Sequence, residues 1–181
     1  MPATASQTIG PYWHLLEDPS WADLTRFGAS GERMVLLGTV TDGDGLPVTD
    51  ACIELWQPSP PPTPEWDGFG RAATDIEGNY RFVTLKPGPV PGSPGANASQ
   101  APHAALTIFA RGLLHHLSTR AYFDGEPLNE QDPLLASLEP ARRQTLLARP
   151  VGQRDGLPAW RLDIRLQAAK DGQDETVFLE L

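Results

Sequence analysis

The chain of 181 residues has a single cysteine, Cys52, so no intrachain disulfide framework and no cysteine-rich zinc site can be built. No apolar stretch approaches the ~20 residues needed to span a bilayer. The N-terminus lacks a charged segment followed by an apolar run, so no signal peptide is read and a cytoplasmic setting is expected. Basic residues are also in deficit. Fourteen Lys and Arg against 23 Asp and Glu give a net charge of −9. That balance excludes nucleic acid and an anionic membrane surface as partners, since both require clustered cations. It would also repel a small anionic substrate, unless a local arginine or a partner chain offsets the field. Tyrosine and histidine are scarce, at three and four residues, which limits any metal chemistry.

Proline and glycine are plentiful, with 19 and 17 residues scattered between short apolar runs. This pattern favours many turns and short strands over long helices. With 40% hydrophobic residues the chain is expected to fold as one domain over residues 1–181, with residues 1–30 as an N-terminal arm and short helix. Met34–Val40 reads as the first strand. Asp42-Gly43-Asp44-Gly45 reads as a hairpin-type turn, and Pro47-Val48 leads into a second strand at Cys52–Trp56. Cys52 in that apolar run is expected to be a buried, inert thiol. Pro58–Pro64 holds five prolines in seven residues and is expected to be a stiff surface loop. Strands are expected at Arg71–Thr74, Asn79–Leu85, Ala105–Arg111, Leu117–Phe123, Trp160–Leu166 and Thr176–Leu181, with short helices between Pro133 and Ala148 broken at Pro140. Seven or eight short strands of this kind predict an all-β fold, a β-sandwich of Greek-key-like order.

Chemistry within the chain is harder to find. His115 and His116, if on a strand, would point to opposite faces; in a turn they could converge. His103 follows Pro102 without a second ligand at alternate positions, and reads as a hydrogen-bonded histidine near a subunit surface. Tyr80 and Tyr122 lie beside Phe82 and Phe123, where packing accounts for them. There is no Gly-x-Ser-x-Gly elbow, and Gly88, Gly92 and Gly95 are interrupted by prolines that remove the N–H donors of a phosphate loop.

Several segments, taken in order, carry a resemblance. They are Ser6-Gln7-Thr8-Ile9-Gly10-Pro11-Tyr12, Phe69-Gly70-Arg71, Lys86-Pro87-Gly88-Pro89, Ala101-Pro102-His103, Phe109-Ala110-Arg111-Gly112 and Thr119-Arg120-Ala121-Tyr122-Phe123-Asp124. The chain resembles the intradiol ring-cleavage dioxygenases over nearly its full length. In catalytic chains of that family a Tyr follows the Lys-Pro-Gly-Pro segment, and two His alternate after the next Pro. Here Val90 stands for the Tyr, and Ala104 and Leu106 stand for the His pair. The Pro58–Trp66 loop, where another ligand Tyr is expected, has none.

The resemblance implies a β-sandwich, no metal in this chain, and pairing with a homologous β subunit that holds Fe(III) and opens the ring of a catechol acid with O2. It also implies that Thr8, Gly10, Pro11 and Tyr12 of the arm, together with Arg120, contact the substrate at the partner's pocket. Glycine lets backbone approach a ligand closely, and an arginine offsets the chain's acidity near an anion. Arg120 as a structural ion pair and Gly10-Pro11 as a plain turn remain open alternatives. The two loops Pro58–Trp66 and Pro91–Gln100 depart from the family pattern, which leaves open whether a second pocket survives there. A non-enzymatic, transthyretin-like β-sandwich binding module, acting without a β partner, is the alternative reading.

Overall fold

Alternation of apolar and polar side chains is realised, among the described residues, in nine strands: β1 (Arg33–Thr41), β2 (Cys52–Trp56), β3 (Phe69–Ala73), β4 (Asn79–Leu85), β5 (His103–Phe109), β6 (Leu117–Phe123), β7 (Leu147–Arg154), β8 (Leu157–Arg161) and β9 (Ile164–Arg165). The computed structural model describes residues 9–10, 12–92, 99–169, 172 and 174–180, the side chains of His14 and Leu16 excepted. Helix is confined to short pieces. Two 3-10 turns, Trp13–Leu16 and Pro19–Ala22, follow the arm; a third, Pro127–Gln131, precedes α1 (Pro133–Ser137) and α2 (Pro140–Gln144). Pro133 and Pro140 both occupy the first turn of their helix, where a missing N–H is tolerated.

The strands follow one hydrogen-bonded path, β3-β2-β5-β6-β7-β8-β1-β4, with β9 beside β1. The two ends of the path, β3 and β4, are joined by the tight Asp75–Gly78 turn and pack against each other, so the sheet is nearly closed, barrel-like. Short parallel pairings link the strands into this path. These are Tyr122↔Leu147 and Phe123↔Ala148 between β6 and β7, and Val35↔Ala159 to Leu37↔Arg161 between β1 and β8. Inside lies the main core, including Leu36, Ile53, Leu55, Phe82, Leu106, Ile108 and Phe123, all fully or almost fully buried. Each such side chain contributes roughly 1.5–3 kcal/mol by leaving water. A second, smaller core of Ala101, Tyr122, Leu135, Leu146, Leu147 and Val177 includes residues from α1 and the C-terminal segment.

Several local expectations are revised or resolved. The Asp42–Gly45 turn closes not on β2 but on Pro47 and Val48, through the Thr41↔Pro47 bridge and the Val48 N–H to Val40 carbonyl bond of 2.9 Å; β2 then pairs with β3 and β5. β7 was masked in the sequence by Pro150 and Gly152, where its register shifts. Residues 176–180 form no strand. They are held irregularly by Thr176 N–H to Arg165 O, Val177 N–H to Thr145 Oγ1 and the Ser118↔Leu179 bridge, and Leu181 lies outside the described residues. His115 and His116 fall in the β5–β6 connection rather than on a strand, and His116 packs on Phe109. The Pro58–Pro64 loop is pinned in keeping with the stiff loop expected from its prolines. Buried Gln57 donates from Nε2 to Ser59 and Leu85 carbonyls, and Trp66 Nε1 donates to Pro60 O.

The expected strand Trp160–Leu166 is broken at Leu162–Asp163 for a reason seen in its neighbours. Gly38 and Tyr80 face each other across β1 and β4, and the Tyr80 phenol donates to Leu162 O at 2.6 Å. Thr39 N–H is satisfied by the Asp163 carboxylate at 2.9 Å instead of by a strand carbonyl. A side chain on Gly38 has no room, since its Cβ would lie 1.8 Å from Leu162 O and 2.9 Å from Tyr80 Cε1.

Cys52 is buried, and burial pushes its thiol up to about 12, consistent with an inert group. Lys86, immediately after β4, is the unusual ion. Its Nζ sits 3.5 Å from the Phe123 ring centroid and 4.2 Å from that of Trp160, two rings that meet edge to face. The ring faces attract the cation. Burial nevertheless lowers Lys86 from 10.5 to about 8, against the opposing pull of Glu126 and Glu32.

Gly38→Ala is expected to lower stability by about 3 kcal/mol or more in urea unfolding, because Leu162 or Tyr80 must give way. Lys86 binds its proton less tightly folded than unfolded, so between pH 8 and 10.5 the unfolded chain holds more protons and stability rises with pH. Lys86→Met is expected to remove that contribution: the wild-type chain should gain on the variant as urea unfolding is moved from pH 7.5 to pH 10. A constant difference would place Lys86 in solvent.

Candidate functional site

Strands β5 and β6 pair antiparallel from His103↔Tyr122 to Ile108↔Leu117, and their alternation sorts side chains onto two faces. Ala104, Leu106, Ala121 and Phe123 enter the main core. His103, Ala105, Arg120 and Tyr122 take the other face. That outer face is covered by the second core as far as Tyr122, which is fully buried, and is uncovered at Arg120, which is half-buried. A row runs across three strands here, with exposed Trp56 opposite Ala105 and Ala105 opposite Arg120.

Among the described residues Arg120 makes no ion pair, the alternative left open by the sequence. Its Nη1 donates to Gln100 Oε1 at 2.8 Å and to the Tyr122 hydroxyl at 3.1 Å, both neutral acceptors. The Tyr122 hydroxyl donates onward to Asp132 Oδ1 at 3.1 Å. Asp132 is fully buried and caps α1, accepting from Leu134 N at 2.9 Å and Leu135 N at 3.1 Å on Oδ1, and from Ala101 N at 2.8 Å on Oδ2. Burial pushes the Tyr122 phenol up to about 12, so it is a neutral donor at physiological pH. His103 stacks on Tyr122 with centroids 5.3 Å apart. Its Nδ1 lies 2.7 Å from Ala101 O and so carries the proton it donates there. Burial, aided by the Arg120 charge, holds His103 below its usual range. His103 is thus buried by its own chain rather than placed at a surface.

Of the arm residues expected to bind substrate, Thr8 and Pro11 lie outside the described residues. Gly10 adopts φ +77° with open space around it, and Tyr12 is 73% exposed. The arm is anchored by Trp13, whose Nε1 donates to Asp50 O at 3.2 Å. Asp50 precedes β2, whereas Arg120 lies across β5 from the far end of β2, about 20 Å further along at roughly 3.3 Å per residue. Gly10 and Tyr12 are therefore not brought against Arg120 within this chain.

A ferric site of the kind expected in the family does not fit these residues. Phenolate and imidazole donors suit that ion, but positions 90, 104 and 106 offer an isopropyl, a methyl and an isobutyl group. Ala104 and Leu106 are 1% and 0% exposed in the apolar core. Val90 makes a two-bond bridge with Gln100, N–H to carbonyl at 3.1 and 2.8 Å, and so holds the residue that anchors Arg120. Among the described residues no group of three or more His, Cys, Asp or Glu is placed to hold a metal ion. No helix among them is long and apolar enough to cross a membrane.

Sequence reasoning missed Gln100, Tyr122 and Asp132. The spacing of Arg120 and Tyr122, two apart on a strand, already places them on one face. Asp132 before Pro133 has the form of a helix cap. Their meeting across ten residues is a tertiary fact.

Comparison with known proteins agrees with this architecture. A model of the family described as Dioxygenase matches residues 18–168. The chain is 38% identical to a protocatechuate 3,4-dioxygenase alpha chain of Pseudomonas putida, over 99% of this chain and 97% of that one. It is 32% identical to the corresponding beta chain of Burkholderia cepacia, over 82% of this chain and 67% of that one. Among solved structures, the dioxygenase domain of a carbohydrate-binding fusion from Streptomyces sp. SirexAA-E superposes with a TM-score of 0.65 at 24% identity, covering 93% of this chain and all of that one. The matched span, the near full-length identity and the shared fold together establish that this chain belongs to the intradiol ring-cleaving dioxygenase family.

Proposed function

We propose that this chain is the metal-free α subunit of a protocatechuate 3,4-dioxygenase, assembling with a homologous β subunit that holds the ferric iron. The observation that carries this reading is a single one: the chain aligns end to end with an α chain while Val90, Ala104 and Leu106 replace donors with hydrocarbon. When bound in the partner, the ferric ion would supply activation of the catechol toward O2, and the ring would open to 3-carboxy-cis,cis-muconate, a step of the β-ketoadipate route.

The part played by this chain is recognition and support. Arg120 offers a positive guanidinium to the substrate's carboxylate at the partner's pocket, in a chain whose net charge of −9 otherwise repels it. Thr8, Gly10, Pro11 and Tyr12 form a second contact through the arm. We read residues 1–181 as one domain, the arm at 1–30 lying on the partner. We read the nearly closed sheet as a β-sandwich whose layers are joined through the short β6–β7 pairing. Several α–β protomers would assemble in the cytoplasm, without nucleic acid or membrane.

Co-expression with a β chain carrying the two Tyr and two His is expected to yield a coloured ferric complex that consumes O2 with protocatechuate, eluting from size exclusion as one hetero-oligomer. The chain expressed alone should carry no iron and show no ring cleavage. Stoichiometric iron with activity in the lone chain, or failure to co-elute with the β chain, would sink the proposal; the latter would favour a stand-alone binding module.

A further inference from the structure

We propose that Tyr122 and Gln100 are positioning residues that hold Arg120 ready for a ligand carboxylate without neutralising it. This rests on the reading of Arg120 as a substrate-facing residue, and it concerns how the chain keeps that arginine usable.

Seven other arginines among the described residues lie within 3.9 Å of a carboxylate. Arg120, although half-buried, does not. The nearest carboxylate in its network, Asp132, is reached only through the Tyr122 hydroxyl. A direct ion pair would cancel the guanidinium charge and occupy its paired donors. An interposed phenol fixes the position of the head group and leaves the charge in place. The described residues engage Nη1 alone, at Gln100 and Tyr122, so the Nη2 and Nε donors stay open to a planar carboxylate.

Two further features serve the same arrangement. Gln100 is itself fixed, since both its backbone groups bond to Val90. His103, stacked on Tyr122 and held neutral by burial, adds no second cation to compete for the anion. The relay can be interrupted without dismantling the fold. Tyr122→Phe keeps the ring in the second core, and Asp132 retains its bonds from Ala101, Leu134 and Leu135.

The test uses the co-expressed α–β complex and compares the KM for protocatechuate with the inhibition constant of catechol, which has the diol but no carboxylate. Arg120→Ala should raise the protocatechuate KM by roughly ten- to a hundredfold, the size of a lost charge-assisted hydrogen bond, with catechol unaffected. Tyr122→Phe and Gln100→Leu should each raise it by roughly three- to tenfold, with smaller changes in kcat and none for catechol. Tyr122→Phe added to Arg120→Ala should change nothing further. If Arg120→Ala acts as expected but Tyr122→Phe leaves KM unchanged, or weakens both ligands alike, the positioning role is overturned. An Arg120→Ala complex with unaltered KM overturns the underlying reading of Arg120 instead. Should Tyr122→Phe fail to assemble, Gln100→Leu, on a half-exposed segment, reads the same ratio and decides by the same outcomes.

Discussion

The carboxylate of Asp132 is the constraint on which this end of the molecule depends. A fully buried carboxylate is tolerated only when its oxygens are filled, and four donors converge on it: two amides at the start of α1, the Ala101 amide before β5, and the Tyr122 hydroxyl from β6. These groups come from three separate stretches of chain. Without the carboxylate, amides with no other partner would be left in a dry environment, each costing about 1–3 kcal/mol. One side chain therefore fixes where α1 sits on β6, where the chain enters β5, and how Tyr122 is oriented. The position of Arg120 follows from the last of these.

The β5–β6 pair also shows how one register sorts an apolar face from a polar one. Residues 104, 106, 121 and 123 point inward and are apolar; residues 103, 120 and 122 point outward and are polar. A shift of one position would bury the arginine and expose the leucine. Hydrocarbon at 104 and 106 therefore does more than omit a metal. It lets this stretch of the core close as ordinary packing, with the Lys86 cation at its margin, lying over the rings of Phe123 and Trp160.

Much of the fold was legible because it is written in local periodicity. Cys52–Trp56, Asn79–Leu85 and Leu117–Phe123 are short, largely apolar runs set off from their neighbours and form strands at those bounds. Prolines 133 and 140 announced their helices. Failures occurred where tertiary contacts outrank pattern. The alternation of Trp160 to Leu166 is real in burial, yet the strand breaks because Leu162 O answers to Tyr80 and Thr39 N–H to Asp163. Residues 176–180 have strand composition but pair through side chains and single bridges. The absence of ligands was visible as plain letters at 90, 104 and 106. The network around Arg120 was not, because nothing in sequence ties Gln100 and Asp132 to a residue on β6.

An arginine held by neutral acceptors is a compromise for the fold. Partial burial strips water from the guanidinium, and a neighbouring carboxylate would be the most stabilising remedy for the chain alone. This chain has an excess of carboxylates and, among the described residues, sets them against seven other arginines, while Arg120 receives an amide oxygen and a phenol. These acceptors restore part of the lost hydration and fix the geometry, but they leave the charge uncompensated on a surface next to exposed Trp56. The electrostatics of Arg120 stand beside the missing donors at 90, 104 and 106: one leaves a cation unpaired among the described residues, the other leaves hydrocarbon where a metal would need donors.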